Sequence, residues 1–303
     1  MNSQQHRLSE KRLRKIKEKA IESVLFLSAF SAVATTVAIV AILLYEASSF
    51  FEHVSIVEFL TNTEWTPLFE NPQFGVLPLV AGTLVTTGVA LSVAVPIGLI
   101  VAIYLSEFAP HKIREIIKPF LEMLAGVPTV VYGYFALLFV TPILQIIMPN
   151  LPGFNMLGAG IVMGIMIIPY VASLSEDAMR AVPMSLREGS YAMGATRFQT
   201  AIKVVFPAAI SGVLAAFILG ISRAVGETMV VAVAAGQQPN FTWNPTEPAA
   251  TITAYIVQVA LGDLPHGSIG YQSIFAVGLV LVLMTLVFNV IGHLLRRKFR
   301  EAY

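Results

Sequence analysis

The 303-residue chain contains no cysteine, which excludes disulfide staples, thiolate metal sites and cysteine nucleophiles. Charge is also scarce: Asp, Glu, Lys and Arg make up 12% of the residues, where soluble domains carry about a quarter. No Gly-Lys pair occurs, so there is no P-loop and no sign of an ATPase activity of the chain's own. The five histidines (His6, His53, His111, His266, His293) are scattered and none has an i,i+4 partner, so no metal site is expected. No polar stretch is long enough to bury a core of its own, which argues against a soluble catalytic domain.

What the chain does have is apolar length. Hydrophobic residues make up 56% of it, and the mean hydropathy is +0.76. Runs near the roughly 20 residues that cross a bilayer as a helix fall at 24–44, 77–104, 116–148, 156–174, 207–235 and 274–295. They predict an all-α integral membrane protein of six transmembrane helices, with both termini on one side.

The basic residues fix the orientation. Seven Lys and Arg precede the first run, three lie from Lys112 to Lys118, four from Arg180 to Lys203, and four from Arg296 to Arg300. The loops at 45–76, 149–155 and 236–273 carry none. By the positive-inside rule, both termini and the basic loops are expected in the cytoplasm. Residues 1–22 are then a basic cytoplasmic tail and 23–303 a single membrane domain. The first run is too long for the apolar region of a signal peptide and is expected to be a retained anchor. Leu13, Ile16, Ala20 and Val24 recur at helical spacing in and after the tail, which fits either an interfacial helix or a solvated topology signal. The 46–70 segment carries five acids and no base among aromatic residues, and is expected to include a short interfacial helix.

Arg223 is the one basic residue that topology does not explain. It is expected to be the only buried one, about 24 Å along a continuous helix that begins at Pro207. An Arg at mid-bilayer costs about 2.5–3.5 kcal/mol, so its persistence points to a polar cavity, a partner charge or a substrate. Glu227 follows four residues later, close enough on a helix either to neutralise Arg223 or to hold its guanidinium. Thr228 offers a hydroxyl, although packing is the better explanation for it. Glu122 is expected near an interface, and Gln145 and Asn289 as hydrogen-bonding links between helices.

The 175–206 stretch is polar and much longer than the roughly 2–8 residues of an ordinary helix connection. A short helix is expected at 185–193, a sharp turn at Gly194, and a second helix that enters the membrane at Pro207. Within this stretch, EGSYAMGATRFQTAIKVVFP (188–207) resembles the coupling loop of ABC importer permeases. That pattern is Glu-Ala-Ala, three residues, Gly, nine residues, then Ile-x-Leu-Pro. Glu188, Gly194 and Pro207 match it, Gly189 and Ser190 replace the two alanines, and Val204 and Phe206 replace Ile and Leu.

The stretches FGVLPLVAGTLVTTGVALSVAVPIGLIVAIYLSEFAP (74–110), LEMLAGVPTVVYGYFAL (121–137) and RAVGETMVVAVAAG (223–236) resemble phosphate permeases of the PstC type. The resemblance implies a type I importer bundle in a prokaryotic plasma membrane. It also implies a homologous second permease subunit, two ATP-binding subunits that use ATP and Mg, and an extracytoplasmic phosphate-binding protein. No cofactor bound directly by this chain and no nucleic-acid partner are implied. Arg223, Glu227 and Thr228 would then lie on the substrate path. Another oxyanion, such as molybdate, sulfate or phosphonate, is the alternative cargo, and a self-sufficient secondary carrier or channel is the alternative class.

Overall fold

The computed structural model describes residues 2–67, 69, 71–262, 264–265 and 267–298, with side chains at 15 and from 17 onward. Glu70, His266, Arg300 and the tail side chains of His6, Leu13 and Ile16 therefore lie outside the described residues. Among the described residues the regular structure is helical, apart from one isolated antiparallel bridge between Trp65 and Phe74, and irregular loops fill 62–76 and 235–251.

Helix α1 (Asn2–Phe51) runs without a break from the basic tail through the first span. The short α2 (Ile56–Thr61) follows. Phe50, Phe59, Trp65, Phe74 and Tyr255 meet edge to face beside it and close the acidic end of the bundle. Pairs of this kind add about 0.5–1.5 kcal/mol each beyond the area they bury.

Helix α3 (Leu77–Ile103) continues into a π-helical turn, Tyr104–Phe108, that ends before Pro110. The expected third span, 116–148, is two separate helices. Pro128 restricts Val127 to extended backbone, so α4 (His111–Ala125) stops at Gly126 and α5 (Thr129–Phe135) starts afresh. A π-helical turn, Ala136–Val140, leads on to α6 (Thr141–Ile147), and the membrane-crossing stretch is Thr129–Ile147. Helix α4 is amphipathic: Leu121 is buried, whereas Ile116, Phe120 and Met123 are exposed.

Helix α7 (Met156–Arg180) is the central post of the bundle. Asn155 caps its start by accepting from the Gly158 N–H at 2.7 Å. A side-chain carbon at Gly98, Gly160 or Gly164 would come within 2.8 Å of the opposite helix, so glycine sets the close packing of α3 on α7. After α7 come α8 (Met184–Ala192), α9 (Arg197–Thr200), a π-helical turn (Ala201–Val205) and α10 (Phe206–Ala208).

The expected continuous helix over 207–235 is absent. The chain bends by 72° between the Arg197–Ala208 arm and α11 (Ile210–Val225), just after Pro207, whose ring nitrogen has no proton to donate. It breaks again at 226–228 before α12 (Met229–Ala234). Helix α13 (Ile252–Ala260) and the long α14 (Ile269–Lys298) complete the fold. Among the described residues five helical stretches are long and apolar enough to cross a membrane, and counting the bent pair as one span makes six.

Candidate functional site

Arg223 lies in the last turn of α11, at the broken end of a span and not in the middle of a continuous helix. The unpaired carbonyls at a helix C-terminus favour a cation by about 0.3–1 kcal/mol, which offsets part of the desolvation cost. Its guanidinium carbon sits 4.5 Å from the centroid of the Tyr170 ring on α7. Its Nε is buried and has no acceptor. Among the described residues, no hydrogen bond or carboxylate engages Arg223. A cation placed over an aromatic ring is attracted by the ring without using up its N–H donors.

Glu227 does not partner Arg223. The helix on which the two would share a face ends at Val225, and Glu227, buried at 8% exposure, turns to α12. Its Oε1 accepts the Met229 and Val230 N–H groups at 3.2 and 3.4 Å, so it caps that helix. The Glu227 carbonyl accepts the Thr253 hydroxyl at 2.6 Å, which ties the break to α13. Thr228 donates to the Gly226 carbonyl at 3.3 Å, a local turn contact.

Two tyrosines connect this site to the break before α5. The Tyr170 hydroxyl lies 3.5 Å from the Ala125 carbonyl, and the Tyr132 hydroxyl donates to the Leu124 carbonyl at 2.8 Å. Tyr170 was missed in the sequence because an aromatic residue in an apolar helix carries no sign of what it faces.

At the basic end, the 188–207 segment forms a knob with a fixed inner face and an open outer one. Gly194 takes φ +83°, a left-handed conformation that glycine adopts without strain. Ser190 bonds Thr200 at 2.8 Å across the turn, and Thr196 forms a capping box with Gln199 at the start of α9. Glu188, Gly189 and Pro207 are exposed. Met193 and Phe198 are also uncovered, at 88% and 65% exposure, an apolar pair presented outward.

Arg223 is not the most buried basic residue. It is half-buried, whereas Arg187 on α8 has 9% exposure and binds Glu107 at the end of the second span. Beside that pair, Glu176 is fully buried and meets Arg114 at 3.1 Å, Lys118 at 2.9 Å and Arg180 at 3.7 Å. Burial pulls the Lys118 ammonium pKa down, but hydrogen bonds to Asp177 and Glu176 outweigh it and leave the pKa above the usual lysine value. These cations come from two separate basic segments, 112–118 and 180–203, and the structure gathers them at one end of the bundle.

Of the remaining expectations, Glu122 is exposed. Asn289 accepts from Ser222 at 3.4 Å and so links α14 to α11. Gln145 instead donates to the Leu151 carbonyl in the loop after α6, at 2.9 Å.

Residues 94–301 match the family described as binding-protein-dependent transport system inner membrane component. The chain is 38% identical over 235 residues to the probable ABC transporter permease protein YqgH of Bacillus subtilis (strain 168), covering 78% of this chain and 76% of that relative. It is 33% identical over 265 residues to the phosphate transport system permease protein PstC of Haemophilus influenzae, covering 80% and 82%. Among solved structures, a bacterial ABC transporter that imports the acidic polysaccharide alginate superposes with a TM-score of 0.65. It is 14% identical and covers 95% of this chain and all of that one, a likeness of fold alone.

Proposed function

Because the chain belongs to the family of binding-protein-dependent transport system inner membrane components, we propose that it is the permease subunit of an ATP-driven importer that carries inorganic phosphate inward. It is a multi-pass protein of the inner membrane, and its named phosphate-transport relatives support the cargo. The basic end of the bundle is the cytoplasmic one, with both termini on that side. The complete importer pairs this chain with a homologous permease, two subunits that hydrolyse ATP with Mg, and an extracytoplasmic binding protein.

One observation carries the substrate assignment: Arg223 lies over the Tyr170 ring and, among the described residues, has no carboxylate on its donors. Phosphate near neutral pH is a mono- or dianion with oxygens on every side. The planar fork of Arg223 donates to two of those oxygens at once and stays charged when desolvated. Tyr170 keeps the fork oriented without consuming its donors. With Glu227 committed to α12, no internal anion competes for the site, and with a single cation the hold on phosphate is brief, as transport requires.

At the other end, the knob around Gly194 docks on an ATP-hydrolysing subunit, with Met193 and Phe198 as its apolar contact. Reconstitution of the complete importer in proteoliposomes tests the assignment. Uptake of radiolabelled phosphate should require both ATP and the binding protein. Uptake by this chain alone, without ATP, would contradict it and favour a secondary carrier.

A further inference from the structure

We propose that the Glu107–Arg187 pair is the stiff joint through which movement of α8 reaches the ends of the second and fourth spans. Arg187 on α8 makes four hydrogen bonds, all directed away from the exposed side of the knob. Its Nε and Nη2 donate to the two carboxylate oxygens of Glu107 at 3.3 and 2.9 Å. Its Nη1 donates to the Val182 carbonyl at 2.6 Å, and Nη2 also donates to the Met179 carbonyl at 2.9 Å. One side chain thus grips the π-helical turn that ends the second span and also holds the Met179 and Val182 carbonyls at and just after the end of α7. A two-pronged contact fixes orientation as well as distance, which a single point charge does not. Both side chains are shielded from water, at 11% and 6% exposure, so solvent does not loosen the contact.

The same block extends sideways. Glu176 near the end of α7 binds Arg114 and Lys118 of α4, so ion pairs join α4 to α7 and α8 to the turn after α3, and the Arg187 bond to the Met179 carbonyl links the two sets. The covalent route from α8 to α11 is built differently. It passes the left-handed turn at Gly194, a π-helical turn and the 72° bend after Ala208. Displacement of α8 is therefore transmitted rigidly to the second and fourth spans and compliantly to α11, although α11 is nearer in sequence.

The inference rests on the importer reading, and its test separates the two. In the reconstituted importer, phosphate imported per ATP hydrolysed is measured for wild type, Glu107→Gln, Arg187→Lys and the exchange Glu107→Arg with Arg187→Glu. The single variants should assemble and hydrolyse ATP, with the ratio down about fivefold or more, and the exchange should recover part of the loss. An unchanged ratio would overturn the joint. So would a parallel fall of uptake and hydrolysis with no recovery in the exchange, because that marks support of the fold only.

A second readout does not depend on these variants assembling. The chain has no cysteine, so spin labels placed through Ser185→Cys and His111→Cys report one distance, between α8 and the start of α4. In the otherwise wild-type complex that distance should change by less than about 2 Å between nucleotide-free and ATP-bound states. A larger shift would overturn the joint even where transport is normal. Wild-type complex without ATP-driven phosphate uptake would instead sink the importer reading.

Discussion

The guanidinium of Arg223 on α11 rests against the ring of Tyr170 on α7, 4.5 Å from its centroid. On the proposed function, this contact holds Arg223 in place without occupying its donors, which stay available to phosphate. Tyr170→Phe preserves that ring and should leave phosphate uptake within about twofold of wild type. Tyr170→Leu removes a contact of about 0.5–2 kcal/mol and should slow uptake roughly three- to tenfold, mainly through a raised KM. Uptake kinetics in proteoliposomes distinguish these outcomes, and equal losses in both variants would show that the hydroxyl, not the ring, matters.

Glu227 serves α12. Glu227→Gln retains a carbonyl for the Met229 and Val230 N–H groups and should transport phosphate within about twofold of wild type. Glu227→Ala loses a cap worth about 1 kcal/mol and should lower thermal stability in detergent. A rise in phosphate affinity in Glu227→Gln would show instead that the carboxylate competes for Arg223.

Gly194 has a left-handed backbone, and a side-chain carbon there would meet nothing within 4 Å. Gly194→Ala should therefore cost only backbone strain, about 1–2 kcal/mol. Gly194→Trp should leave the isolated subunit folded but prevent co-purification with the ATP-hydrolysing subunits. Normal assembly and transport in that variant would remove the docking role of the knob.

Packing of α3 on α7 depends on the absence of side chains at their crossing. A carbon added at Gly164 would lie 2.7 Å from the Ala90 carbonyl, whereas one at Gly88 would meet nothing within 4 Å. Gly164→Ala should destabilise the subunit by about 1–3 kcal/mol, and Gly88→Ala should not. Thermal unfolding of the two variants in detergent gives the comparison.

Features set by local chemistry were legible in the sequence. Apolar length gave the spans other than the third and fifth, and the Gly194 turn lies at its expected position. The two misread spans share one cause: hydropathy does not register a break in the backbone. Pro128 divides the 116–148 run, Pro207 precedes the 72° bend at the start of the 207–235 run, and that run breaks again at 226–228. Once the second run breaks at Gly226, the helical register that seemed to pair Arg223 with Glu227 no longer exists. The Tyr170 contact and the Glu107–Arg187 pair join residues 53 and 80 positions apart. Contacts at that separation depend on how helices pack, which no local spacing encodes.

Loss of the Arg223 charge tests the central claim most directly. ATP-dependent phosphate uptake should be compared between wild-type and Arg223→Ala importers of equal subunit composition and equal ATP hydrolysis. The account predicts a fall of about tenfold or more, as expected from losing charge-assisted hydrogen bonds of about 1.5–3 kcal/mol, with Arg223→Lys recovering only part. Wild-type uptake in an assembled Arg223→Ala complex would contradict it.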